Sequence, residues 1–106
     1  MAQLSTHVLD AAVGRPAAGI AVTLLGPDDA TVATGVTDVD GRASFGSQLP
    51  EGVYRLQFAT AGYFDARGVA SFYPEVVIAF HVADSVGKYH VPLLLSPFAY
   101  STYRGS

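Results

Sequence analysis

A chain of 106 residues, half of them hydrophobic and 14% charged, is long enough for one sizeable core and too short for two. The absence of cysteine excludes disulfide stapling, thiolate chemistry and a Cys-based zinc site. Six basic residues against nine acidic ones give a net charge of −3, and the arginines are scattered, so nucleic acid is a poor partner.

In chain order, period-2 alternation predicts strands over "LSTHVLD" (4–10), "GIAVTLL" (19–25), "TVATGVT" (31–37), "RASFGSQL" (42–49), "VYRLQFAT" (53–60), "EVVIAFHV" (75–82), "YHVPLLL" (89–95) and "AYSTYR" (99–104). Turn chemistry bounds them: "GRPAAG", "GPDD", "DVDG", "LPEG", "DSVG" and "SP". One short helix is expected around "TAGYFDARG", where Tyr63, Phe64 and Arg67 fall at helical spacing before Gly68. Eight short strands in so small a chain predict an all-β antiparallel sandwich over residues 1–106, since parallel neighbours would need crossover helices for which there is no room. "MAQLSTHVLD" reaches an Asp before any apolar stretch long enough for a signal-peptide core, and no later run spans a bilayer, so neither a leader nor a membrane partner is expected and the default compartment is the cytoplasm.

The alternation assigns each histidine a face. Ser5, His7 and Leu9 share one face of the first strand, with Leu4, Thr6 and Val8 on the other. His90, Pro92 and Leu94 likewise oppose Tyr89, Val91, Leu93 and Leu95. If the more apolar set in each strand faces the core, His7 and His90 both point outward onto a surface that also carries Leu9, Pro92 and Leu94. An apolar outer face of that kind suggests a covered interface, and two histidines on it could do proton chemistry near neutral pH.

Taken singly, each of these residues has a plainer explanation. A strand histidine is more often packed or solvated than catalytic, and this holds most strongly for His81 inside "IAFHV". Arg42 in "DVDGR" reads by itself as a surface arginine beside Asp38 and Asp40, and Arg15 in "GRPAAG" needs no function. Three histidines on separate strands lack the spacing of a metal site, and the sequence has no phosphate loop or nucleophile elbow.

The stretches "LSTHVLD", "GRPA", "DGR", "FYPEV", "YHVPLLLSP" and the closing "YRGS" resemble those of the 5-hydroxyisourate hydrolases, the transthyretin-related proteins of purine catabolism, in the same order from Leu4 to Ser106. Tyr73 and Lys88 depart from the hydrolase pattern, where Phe and His are commoner. The resemblance implies a transthyretin-like fold. It implies a hydrolase of urate degradation that adds water across an acyl C–N bond of 5-hydroxyisourate, and a homotetramer, a dimer of dimers, with clefts between subunits. Carried over position by position, the family's functional residues fall on His7, Arg42, His90, Tyr103, Arg104, Gly105 and Ser106. The resemblance thus implies a catalytic set of His7, Arg42, His90 and Ser106, with Tyr103, Arg104 and Gly105 joining His7 and Arg42 in substrate binding. It makes the final tetrapeptide part of the site.

Ring opening needs an activated water, a stabilised oxyanion and a proton for the departing nitrogen. His90 is assigned to activating or orienting water, His7 to substrate contact and proton transfer, and Arg42 to charge stabilisation. Tyr103 and Ser106 line the cleft. No cofactor and no metal are expected. Two other readings stay open: a transthyretin-like carrier of an aromatic ligand in an inter-subunit channel, and an adhesion or scaffold sandwich.

Overall fold

The computed structural model describes residues 2–106, the side chains of Ala2, Ser47 and Gln48 excepted. Nine strands and one helix follow in order: β1 (Ala2–Asp10), β2 (Arg15–Pro16), β3 (Ala21–Leu25), β4 (Thr31–Val36), β5 (Arg42–Leu49), β6 (Gly52–Phe58), α1 (Thr60–Ala66), β7 (Val76–Val82), β8 (Lys88–Ser96) and β9 (Ala99–Thr102). They form two sheets. One runs β2-β1-β8-β9 with β5 also on β1, and the other runs β4-β3-β6-β7. The expected sandwich is therefore present, with each expected strand in place to within a few residues. β2 is an addition: the turn "GRPAAG" folds back far enough to pair Pro16 with Leu9.

Alternation sorts the two layers. Leu4, Thr6 and Val8 of β1 and Leu93 and Leu95 of β8 are buried against Leu24, Leu56 and Phe58 of the other sheet. The one buried polar member of this stripe, Thr6, donates its hydroxyl to the Val91 carbonyl at 2.6 Å, so its burial leaves no donor unpaired. The helix presents Tyr63 and Phe64 inward, and Arg67, one turn on, lies 3.8 Å above the Tyr63 ring. The Tyr63 hydroxyl donates to buried Asp10 at 2.8 Å. Burial first, and then that carboxylate, push the phenol up to about 12, so it remains a donor and ties the helix to the end of β1.

Two features depart from the expected pattern. β1 and β8 are parallel, in register from Gln3↔Lys88 to Asp10↔Leu95. No crossover helix is needed, because the whole second sheet and β5 lie between them in the chain and serve as the connection. The final strand also stops at Thr102, whereas alternation carried it to Arg104. Pro92 explains the interruption. Pairing runs from Ser96↔Ala99 to Leu93↔Thr102, and the same register returns in a single bridge, His90↔Gly105. Gly105 N–H donates to the His90 carbonyl at 2.8 Å. In an antiparallel ladder hydrogen-bonded pairs alternate, so the next bonded pair would be Pro92 and Tyr103, where proline has no N–H to give. The Thr102 hydroxyl takes the Pro92 carbonyl instead, at 2.7 Å.

Candidate active site

The site begins with a turn. In "DVDGR" the Asp38 carboxylate accepts the backbone N–H groups of Asp40 at 2.9 Å and Arg42 at 3.0 Å, while the Asp38 carbonyl accepts that of Gly41 at 2.9 Å. The Arg42 N–H is the main influence holding the Asp38 carboxyl below its usual value, against a smaller opposing effect of desolvation. Gly41 adopts φ +74°, and a Cβ there would lie 2.3 Å from the Val8 carbonyl oxygen. Only glycine lets the turn close on β1, where the Val8 N–H reaches the Gly41 carbonyl at 2.7 Å. The following residue, Arg42, is thereby set opposite His7 across the β5–β1 ladder. Asp38 binds the backbone of Arg42, and among the described residues the one ion pair is Arg55–Asp29. The Arg42 guanidinium thus faces the surface without a carboxylate partner among those residues.

One row along the same face, β5, β1 and β8 align Ser44, Ser5 and His90. His90 Nδ1 lies 2.8 Å from Ser5 Oγ. The opposite edge of the ring meets the chain terminus: a Cβ on Gly105 would come within 2.4 Å of His90 Cδ2. Partial burial, then the positive charges of Arg42 and His7, lower the His90 pKa, with the Ser5 backbone opposing, so the imidazole is neutral at neutral pH. Over this row opens a cavity of about 600 Å³ lined by Arg42, Ser44, Ser5, Lys88, His90 and Ser106, among others.

The expected residues are therefore gathered unevenly. Arg42, His90 and Ser106 share the cavity. His7, half-buried, sits beside Arg42 at its margin, and Gly105 buttresses His90 from behind. Tyr103 and Arg104 line a second cavity of about 280 Å³ with His81 and Phe80 of β7, and His90 borders this cavity as well as the first. The ladder break at Pro92 releases both residues toward the second cavity, and Arg104 lies 4.9 Å over the Tyr89 ring. The outward strip is also less exposed than expected: Leu9 and Leu94 are half-buried and Pro92 is buried, since they are cross-strand neighbours at the centre of a sheet. Ser5, Ser44 and Lys88 escaped the sequence reading as site residues. Their signal was available, for Ser5 shares the face of His7, and Lys88 that of His90.

Fold and cleft together define a transthyretin-like β-sandwich with imidazole and cationic groups on an outer sheet face. Residues 4–105 match the HIUase/Transthyretin family. The chain is 45% identical over 115 residues to the 5-hydroxyisourate hydrolase of Caulobacter vibrioides, with all of both chains covered. Its structure is similar to that of Klebsiella pneumoniae 5-hydroxyisourate hydrolase, with TM-score 0.91, 39% identity, and 100% and 94% of the two chains covered. It is also similar to sea bream transthyretin in complex with thyroxine, with TM-score 0.89, 35% identity, and 96% and 93% covered. The chain belongs to the HIUase/Transthyretin family and stands on its hydrolase side.

Proposed function

We propose that the protein hydrolyses 5-hydroxyisourate, opening its six-membered ring to 2-oxo-4-hydroxy-4-carboxy-5-ureidoimidazoline. The observation that carries this reading is the convergence of Arg42, His90 and Ser106, from three distant parts of the chain, on one cavity. The hydrolase relatives support it from a second direction. A carrier of an apolar ligand would gain little from a guanidinium and an imidazole on the same wall.

In this mechanism neutral His90 takes a proton from water as the water oxygen bonds to the ring carbonyl carbon. Arg42 holds the heterocycle by directional hydrogen bonds and offsets the charge that develops on the carbonyl oxygen. The C–N bond then breaks and the departing nitrogen takes a proton, delivered through His7 or returned from His90. Ser106 lines the cleft. Tyr103 and Arg104 contact substrate only if a neighbouring subunit brings the second cavity into the same channel, which is the arrangement a dimer of dimers would supply. Such a homotetramer is supported by the apolar side chains left exposed near the chain end, Phe98, Tyr100 and Tyr103.

The reaction is proposed to need no metal; among the described residues no cluster of three or more His, Asp or Glu is gathered. The test is an ultraviolet assay of freshly generated 5-hydroxyisourate with and without the protein, repeated after EDTA treatment. Decay at the uncatalysed rate sinks the function, and loss of catalysis in EDTA that is restored by metal sinks the metal-free mechanism.

A further inference from the structure

His90 is gripped on both ring edges, and the two grips differ in kind. Gly105 packs against the Cδ2 edge and spends its N–H on the His90 carbonyl, making no hydrogen bond to the ring among the described residues, so it fixes position alone. Ser5 meets Nδ1 through a hydroxyl at 2.8 Å, and so acts on the proton as well. Among the described residues Nε2 has no hydrogen-bond partner, so it is the ring nitrogen free to meet a ligand, and His90 borders both cavities. A ring with its proton on Nδ1 presents a lone pair at Nε2 and can accept a proton from water. A ring protonated on Nε2 can only donate at that nitrogen.

We infer that Ser5 is the positioning residue of His90, accepting the Nδ1 proton so that Nε2 is held bare and turned into the cavity. The inference rests on the reading of His90 as the group that activates water. A hydroxyl can accept from Nδ1–H or donate to a bare Nδ1; acceptance is the direction that leaves the Nε2 lone pair for water, and the Ser5 backbone, which favours the protonated ring, does not oppose it. Geometry makes the contact dependable, because Ser5 and His90 are direct partners inside a parallel register that runs from Gln3↔Lys88 to Asp10↔Leu95. Orientation of a histidine through its second nitrogen is a general device for setting which tautomer reaches the substrate.

The test combines kinetics with ¹⁵N spectroscopy of the imidazole in the full-length protein. In the native protein the His90 ¹⁵N shifts should report a protonated Nδ1 and a bare Nε2 above the ring's pKa. Ser5→Ala should lower kcat about tenfold or more with KM little changed, and should shift the tautomer population toward Nε2–H. Ser5→Thr, which keeps the hydroxyl on a strand-favouring side chain, should restore both readouts. A native ring protonated on Nε2 overturns the inference, as does a Ser5→Ala variant whose tautomer or kcat is unchanged. The spectroscopic arm needs no substrate, so it decides the placement of the proton even if 5-hydroxyisourate proves not to be turned over.

Discussion

The backbone of Gly105 occupies the space in which any other residue would press its Cβ into the imidazole of His90, to within 2.4 Å of Cδ2. The contact is made between a ring on a central strand and a single bridge beyond the end of the last one. Gly105→Ala must displace the ring, the terminal segment or both. Because only one backbone hydrogen bond is at stake, melting temperature should fall little, while turnover should drop about tenfold or more. Circular dichroism melting alongside the ultraviolet assay checks the split; equal native turnover would mean that the ring's position is immaterial to the chemistry.

Arg42→Ala should reduce kcat/KM by about a hundredfold or more, with the melting temperature essentially native, because the guanidinium is exposed and has no carboxylate partner among the described residues. Arg42→Lys keeps the charge without the planar fork and should recover only part of the loss.

The pH dependence has a defined sign. His90 titrates below its ordinary 6.5, chiefly through burial and then through Arg42 and His7. A neutral base is lost on protonation, so activity should persist at pH 6.5 and fall only as pH drops through the lowered value. Over the same window the unfolded chain binds a proton that the folded ring resists, so His90 also makes stability decline from about pH 6.5 downward. Removing Arg42 deletes one of the influences holding the pKa down, and an NMR titration of the His90 ring should move upward in Arg42→Ala. A downward or absent shift would show that the guanidinium is not felt at the imidazole.

Gly41→Ala tests the scaffold instead of the chemistry. At φ +74°, with the Val8 carbonyl 2.3 Å from the new Cβ, the turn must open, at a cost of about 1–3 kcal/mol. Both the melting temperature and turnover should fall together, since the same turn delivers Arg42.

Deleting Arg104 to Ser106 removes the His90 buttress and one wall of the cavity. Turnover should fall far more than the melting temperature, because none of the three is buried in the core. Parallel loss of folding, seen by the same melt, would assign the segment a structural role only.

The strands, the short helix and the outward placing of both histidines were legible because alternation and turn residues are local signals. Pairing partners were not. Nothing within "LSTHVLD" or "YHVPLLL" says that they lie side by side and parallel, a relation set by how the intervening strands stack. Ser5 was only half legible for the same reason: its strand puts it on the face of His7 as a small polar residue, but its importance comes from being the neighbour of His90, which no local signal gives. The resemblance put Tyr103 and Arg104 at the site, while alternation carried their strand past Thr102. The missing N–H that interrupts it belongs to Pro92, on the other strand.

The parallel union of β1 with β8 also governs when the molecule can come into being. Ser5 leaves the ribosome 85 residues before His90. Until β8 emerges, β1 can pair only with β2 and β5, and its other side presents a row of open backbone groups to any extended chain nearby. Closure of so long a loop comes late and slowly compared with hairpins such as β3–β4. A nascent chain arrested before residue 90 would therefore be a sticky half-sheet without any fragment of activity, and synthesis of this protein is all-or-nothing in a way that its small size conceals.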